Sequence, residues 1–102
     1  MQKIGVIGGG AWGTAIANLL SHNGNSVKLW VFEEDTAKTI NAKHLNENFL
    51  PDITLHSNLS ASTDLTSFTD KDILFLVIPA QFTASTIKPL QNILPKETIL
   101  VI

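Results

Sequence analysis

Apolar residues along this chain follow two rhythms. "KIGVIG" (3–8), "SVKLWVF" (26–32), "DILFLVIP" (72–79) and "ETILVI" (97–102) are short apolar runs bounded by Gly, Asn, Asp or Pro. Their length and β-branched content predict buried strands. Between the first two, Trp12, Ala15, Ile16, Leu19 and Leu20 recur at helical spacing from Ala11 to Leu20. That spacing predicts a helix whose large apolar stripe faces a core. "NGN" at 23–25 stops it, with Gly24 supplying a left-handed cap. A second helix is predicted from Glu34 to Leu45, with Glu33, Glu34 and Asp35 near its positive N-terminal end. Residues 46–63 are rich in Asn, Ser and Thr and read as a loop with one short edge strand near Leu59–Ser62. The 72–79 run is almost continuously apolar, as when both faces of a parallel sheet are covered, and Pro79 ends it. "QFTASTIKPLQNIL" (81–94) reads as a weaker helix interrupted by Pro89.

Strands alternating with helices predict an α/β fold, a Rossmann-type doubly wound parallel sheet with right-handed crossovers. The 102 residues fit one domain, residues 1–102. Composition narrows the function classes. A net charge of −2 offers no electrostatic footprint for nucleic acid or an anionic membrane surface. The longest apolar run, 73–80, is too short for a membrane span, and residues 1–20 do not have the order of a signal peptide. With no cysteine there is neither a disulfide framework nor a thiolate for catalysis or metal binding, which suits a reducing, cytoplasmic setting.

The junction of first strand and first helix carries the chemistry. Gly8, Gly10 and Gly13 form G-x-G-x-x-G within "IGVIGGGAWGTAIANLL" (4–20). Gly8 permits the tight turn, Gly10 lets a pyrophosphate approach the backbone, and Gly13 lets the helix pack closely. The helix N-terminus adds unpaired N–H groups and partial positive charge. A glycine motif in this strand–turn–helix setting is a dinucleotide fingerprint; the alternative is a glycine-rich turn with a structural role only. A carboxylate about 20 residues further on takes the adenosine ribose hydroxyls and repels a 2′-phosphate. Glu33 stands at that spacing, and no Arg or Lys lies between Trp30 and Asp35. NAD is therefore favoured over NADP, with Glu33 preferred over Glu34 as ribose partner and helix-end capping the competing role for either.

With "GGGAWGTAIANLL" (8–20), "LWVFEED" (29–35), "NENFLPDITLHSNL" (46–59) and "VIPAQF" (77–82) in this order, the chain resembles the NAD-dependent glycerol-3-phosphate dehydrogenase family. The resemblance implies that Gly8, Gly9, Gly10, Ala11, Trp12 and Gly13 form the phosphate-binding loop. It also implies that Phe32 lies on the adenine side of NAD and Phe82 near the nicotinamide. Gly9 and Ala11 depart from the residues commonly found there. The first leaves the backbone role intact, whereas Ala11 offers no side-chain hydrogen bond. The implied chemistry is hydride transfer between the nicotinamide and glycerol 3-phosphate, with dihydroxyacetone phosphate as the ketone. In the family a Lys-Gly pair follows the fifth strand and a proton-transferring lysine lies in a helical C-terminal domain. Neither stands in this sequence, so it holds no catalytic residue of that kind. It reads as the N-terminal part of a larger two-domain enzyme, inactive alone, with a homodimer through the C-terminal domain as the implied assembly.

Other constellations carry less. His22, His44 and His56 are scattered, with no metal-ligand spacing, and read as surface residues. Asp70 and Asp72 read as a polar turn before a strand, and Lys71, Lys88 and Lys96 as solvated charges. Trp30 and Phe75 read as core. Ser57, Ser60, Ser62, Thr63 and Thr66 have no His or acid partner at triad spacing. Two alternatives stand beside the dehydrogenase: the cofactor domain of another reductase, such as a ketopantoate reductase or UDP-sugar dehydrogenase, and a non-enzymatic dinucleotide-sensing domain.

Overall fold

A computed structural model describes residues 2–78, 85, 88, 94 and 98–101. Five strands pair in parallel: β1 (Lys3–Ile7), β2 (Ser26–Trp30), β3 (Leu59–Ser62), β4 (Ile73–Leu76) and β5 (Ile99–Val101). Helix α1 (Ala11–His22) joins β1 to β2, and α2 (Glu34–Lys43) begins the connection from β2 to β3. The order across the sheet is β3-β2-β1-β4-β5. Strand order thus reverses beside β1, so a crevice opens beyond the carboxyl ends of β1 and β4. This is the Rossmann arrangement, with β3 as the short edge strand expected at Leu59–Ser62. The expected helix over 81–94, Pro79 and Pro89 lie outside the described residues, Ser85, Lys88 and Leu94 apart.

Alternation along the strands divides the core in two. Ile4, Val6, Val27, Leu29, Leu59 and Ala61 point to one face, where they pack with Ala17 of α1 and with Ala37 and Ile40 of α2. Ile7, Leu74 and Leu76 point to the other and meet Phe68, which a 3₁₀ turn at Leu65–Phe68 delivers fully buried. The Asp64 carboxylate caps that turn by accepting from the Thr66 N–H and hydroxyl. Those bonds, the hydroxyl's foremost, hold its pKa below the ordinary value. Trp30 and Phe75 are half-buried and pack against the two clusters, in line with a core role.

Two expectations fail. The buried face of α1 consists of Gly13, Thr14, Ala17 and Ser21, while Trp12 is 78% exposed and Leu19 62% exposed. A helix laid close on a sheet needs small residues at the contact, and the large apolar stripe is displaced to the sides and outer surface. Lys71 is buried rather than solvated. Its stem covers β1 beside Gly5, and its ammonium pairs with the Asp70 carboxylate at 3.2 Å, so charge and alkyl chain are accommodated separately. The expected polar turn is observed: Asp72 accepts the Lys3 N–H at 2.9 Å, and its own N–H donates to the Lys3 carbonyl. His22 is exposed and stacks edge-on with half-buried His56. His44 is half-buried and closes α2 in the left-handed conformation, φ 56°.

Candidate functional site

β1 delivers the chain to the glycine loop at the centre of the sheet edge. Gly8 has φ +130°, a backbone state that L side chains rarely adopt, and a Cβ there would strike the Val77 carbonyl at the end of β4. Its N–H donates to the Trp30 carbonyl at 3.0 Å, which ties the turn to β2. A Cβ on Gly13 would overlap the Gly8 carbonyl oxygen, so α1 starts in direct contact with the loop it leaves. Gly9 is closed off by the Val31 side chain. Gly10 differs from all three, because a Cβ there would meet nothing within 4 Å. This residue is the N-cap of α1 and has no side-chain cap. The first-turn N–H groups of the helix therefore face the open side of the loop without an intrahelical partner.

Two clefts flank that open point. The first lies between the loop and the end of β2, and Gly9, Gly10, Val31, Phe32, Glu33, Thr36 and Phe49 line it. The second lies at the switch point, between Gly10, Ala11, Trp12 and Gly13 on one side and Leu76, Val77 and Ile78 on the other. Phe32 is 86% exposed and stands edge-on to Trp30, with ring centroids 6.1 Å apart. Trp30 is itself fixed by its indole N–H, which donates to the Thr63 carbonyl at 2.9 Å. Glu33 is the N-cap of α2 with no side-chain cap bond, whereas Glu34 accepts the Thr63 hydroxyl at 2.9 Å. The two acids are thus separated: Glu33 lines the cleft and Glu34 is turned toward the β3 end.

Of the sequence-predicted site residues, Gly8, Gly9 and Gly10 form the loop and Ala11, Trp12 and Gly13 the first turn of α1, while Phe32 and Glu33 face Gly9 and Gly10 across the first cleft. Phe82 lies outside the described residues. Val31, Thr36 and Phe49 also line the cleft, and no pattern in the sequence points to them. The first two sit at the strand–helix corner that carries Glu33, and Phe49 comes from the Asn-rich loop. An open approach to Gly10, beside a helix N-terminus with unpaired N–H groups and between two clefts, is the arrangement in which Rossmann domains take a pyrophosphate.

The family model for the N-terminus of NAD-dependent glycerol-3-phosphate dehydrogenase matches residues 3–102. The chain belongs to this family. It carries the NAD(P)-binding domain of the glycerol-3-phosphate dehydrogenases. A glycerol-3-phosphate dehydrogenase [NAD(P)+] of Syntrophotalea carbinolica is 43% identical over 101 residues, covering 98% of this chain and 30% of its own length. One from Sphingopyxis alaskensis is 48% identical over 81 residues, 79% of this chain and 24% of the relative. The solved glycerol-3-phosphate dehydrogenase of Saccharomyces cerevisiae superposes with a TM-score of 0.91 at 35% identity, covering 97% of this chain and 32% of that one. The chain therefore spans about a quarter to a third of the length of these relatives. Among the described residues no helix is long and apolar enough to cross a membrane.

Proposed function

We propose that residues 1–102 are the dinucleotide-binding domain of an enzyme that interconverts dihydroxyacetone phosphate and glycerol 3-phosphate, with NADH preferred over NADPH. The observation that carries this reading is the open approach to Gly10, set between two clefts in a member of this family. When bound, the nicotinamide supplies the hydride exchanged with C2 of the substrate. The chain's own residues bind and orient. Gly10 and the first-turn N–H groups of α1 receive the pyrophosphate, and the bare backbone permits contact at hydrogen-bond distance. Phe32, braced by Trp30, presents a ring face to the adenine. Glu33 accepts from the ribose hydroxyls, and its charge opposes a 2′-phosphate at the same place. Trp12, at the start of α1, belongs to the phosphate-binding loop and borders the second cleft.

The preference for NADH is one of degree. The similar bacterial enzymes carry NAD(P)+ in their names, and a single exposed carboxylate acts through water. Gly10→Trp tests the reading. The Cβ would meet nothing within 4 Å and the indole would occupy the open space over the loop, so the variant, once shown to be folded by circular dichroism, should lose NADH binding by equilibrium dialysis. Parental affinity in folded Gly10→Trp protein would remove the pyrophosphate from this loop.

A further inference from the structure

Asn46 lies far from the glycine motif in sequence and is 1% exposed. It follows α2 in a loop where Asn otherwise reads as ordinary solvated polarity. Its side-chain amide donates to the Gly9 carbonyl at 3.0 Å and to the Thr14 hydroxyl at 2.8 Å. The Thr14 hydroxyl in turn donates to the same Gly9 carbonyl at 3.3 Å, and Thr14 is fully buried. The Gly9 oxygen therefore collects two side-chain donors from inside the protein. The other atom of the amide, Asn46 Oδ1, is buried without a hydrogen-bond partner. An unpaired buried acceptor is unfavourable. The Asn46 orientation thus serves its donors, and those donors serve Gly9.

Gly9 and Gly10 share one peptide plane, and no peptide bond among the described residues is cis. In a trans plane the carbonyl and the N–H point in opposite directions. Between two glycines no side chain resists a flip of that plane. Two inward bonds on the Gly9 oxygen remove this freedom and turn the Gly10 N–H away from Asn46 and Thr14, at a residue whose Cβ position is open. We propose that Asn46, acting with Thr14, is a positioning residue for dinucleotide binding: it locks the Gly9–Gly10 peptide so that the Gly10 N–H is presented to a phosphate. Asn46 also accepts the Phe49 and Leu50 N–H groups on its backbone carbonyl, at 3.3 and 2.8 Å. The turn that places Phe49 in the first cleft is thereby pinned to the glycine loop by the same residue.

The inference rests on the proposed cofactor reading, and the test separates the two. ADP supplies the pyrophosphate and is titrated into isotope-labelled parent, Asn46→Leu, Thr14→Val and Ile40→Val chains while amide NMR follows each residue. Asn46→Leu keeps the bulk and removes the donors. Ile40→Val lowers stability from the same core without touching the loop. ADP affinity should fall roughly five- to tenfold in Asn46→Leu, less in Thr14→Val, and stay at the parental value in Ile40→Val. The downfield shift of the Gly10 amide proton on adding ADP should shrink in Asn46→Leu. Thr14→Val carries the test should Asn46→Leu fail to fold. Parental affinity and Gly10 shift in the folded loop variants would overturn the inference, as would an equal loss in Ile40→Val. If the parent binds neither ADP nor NADH, the cofactor reading itself fails.

Discussion

Replacing Gly13 with alanine sets two well-defined effects against each other. In an unobstructed helix the change is favourable by about 1 kcal/mol, because alanine loses less backbone entropy than glycine. Here the added Cβ would overlap the Gly8 carbonyl oxygen and lie 2.9 Å from its carbon, both backbone atoms of a loop held by the Gly8 N–H bond to Trp30. No side chain can swing away, so relief requires the first turn of α1 to lift by roughly 1 Å, against the packing of a dense interior. Such a shift would also stretch the buried bonds of Thr14 to Gly9 and Asn46. Overpacking costs about 1–3 kcal/mol where side chains can adjust and more where backbone must move, so the cost here is roughly 2–4 kcal/mol before the helix gain is subtracted. The balance favours destabilisation by about 1–3 kcal/mol, or a Tm lower by roughly 5–20 °C for a domain of this size. Gly10→Ala is the internal control. Its Cβ meets nothing, so the expected loss is within about 1 kcal/mol, the difference between Gly and Ala at an N-cap. Urea unfolding of both variants, with matched m-values, measures the difference. A Gly13→Ala protein as stable as the parent, or more stable, would refute the close helix–loop contact from which the site is built.

Two further outcomes follow from the same structure. Glu33→Arg should narrow or reverse the preference for NADH over NADPH in paired titrations, whereas Glu34→Arg, whose position is turned toward Thr63, should change it much less. Equal effects at the two positions would leave Glu33 with only a helix-end role. For Asp70, partial desolvation raises the pKa, but the hydrogen bond and charge of Lys71, with Lys3 beyond, outweigh it and leave the net value lowered from 3.8. A carboxylate whose folded pKa is depressed contributes stability that is complete above its unfolded value and lost as pH falls through the folded one. Asp70→Asn should therefore be less stable than the parent at pH 7, and the gap should close below about pH 4. The gap should be small, since the Asp70 side chain is 57% exposed. A gap independent of pH would assign the effect to packing.

Much of this architecture is legible in the sequence, and the failures share physical causes. Strand runs such as "KIGVIG" and "DILFLVIP" are short, apolar and bounded by breakers, and they mark the sheet within two or three residues at each end. The glycine spacing is readable because Gly8 and Gly13 answer backbone contacts that the structure contains, whereas Gly10 stands open. The α1 face misleads because periodicity weighs large apolar residues, while contact with a sheet at this distance selects Gly13, Ala17 and Ser21. Lys71 looks solvated because sequence shows the charge and not the stem beside Gly5. Asn46 and Phe49 are hidden for a different reason. Their roles come from partners across the fold, at Gly9, Thr14 and the end of β2, and no local pattern in an Asn-rich loop records that pairing. The division between Glu33 and Glu34 is likewise tertiary, because it depends on Thr63 reaching one of them.

A calorimetric titration of the folded 102-residue chain with NADH, and separately with NADPH, tests the central claim most directly. One saturable site, tighter for NADH, is the result this account predicts. No binding of either dinucleotide by a chain shown to be folded would contradict it.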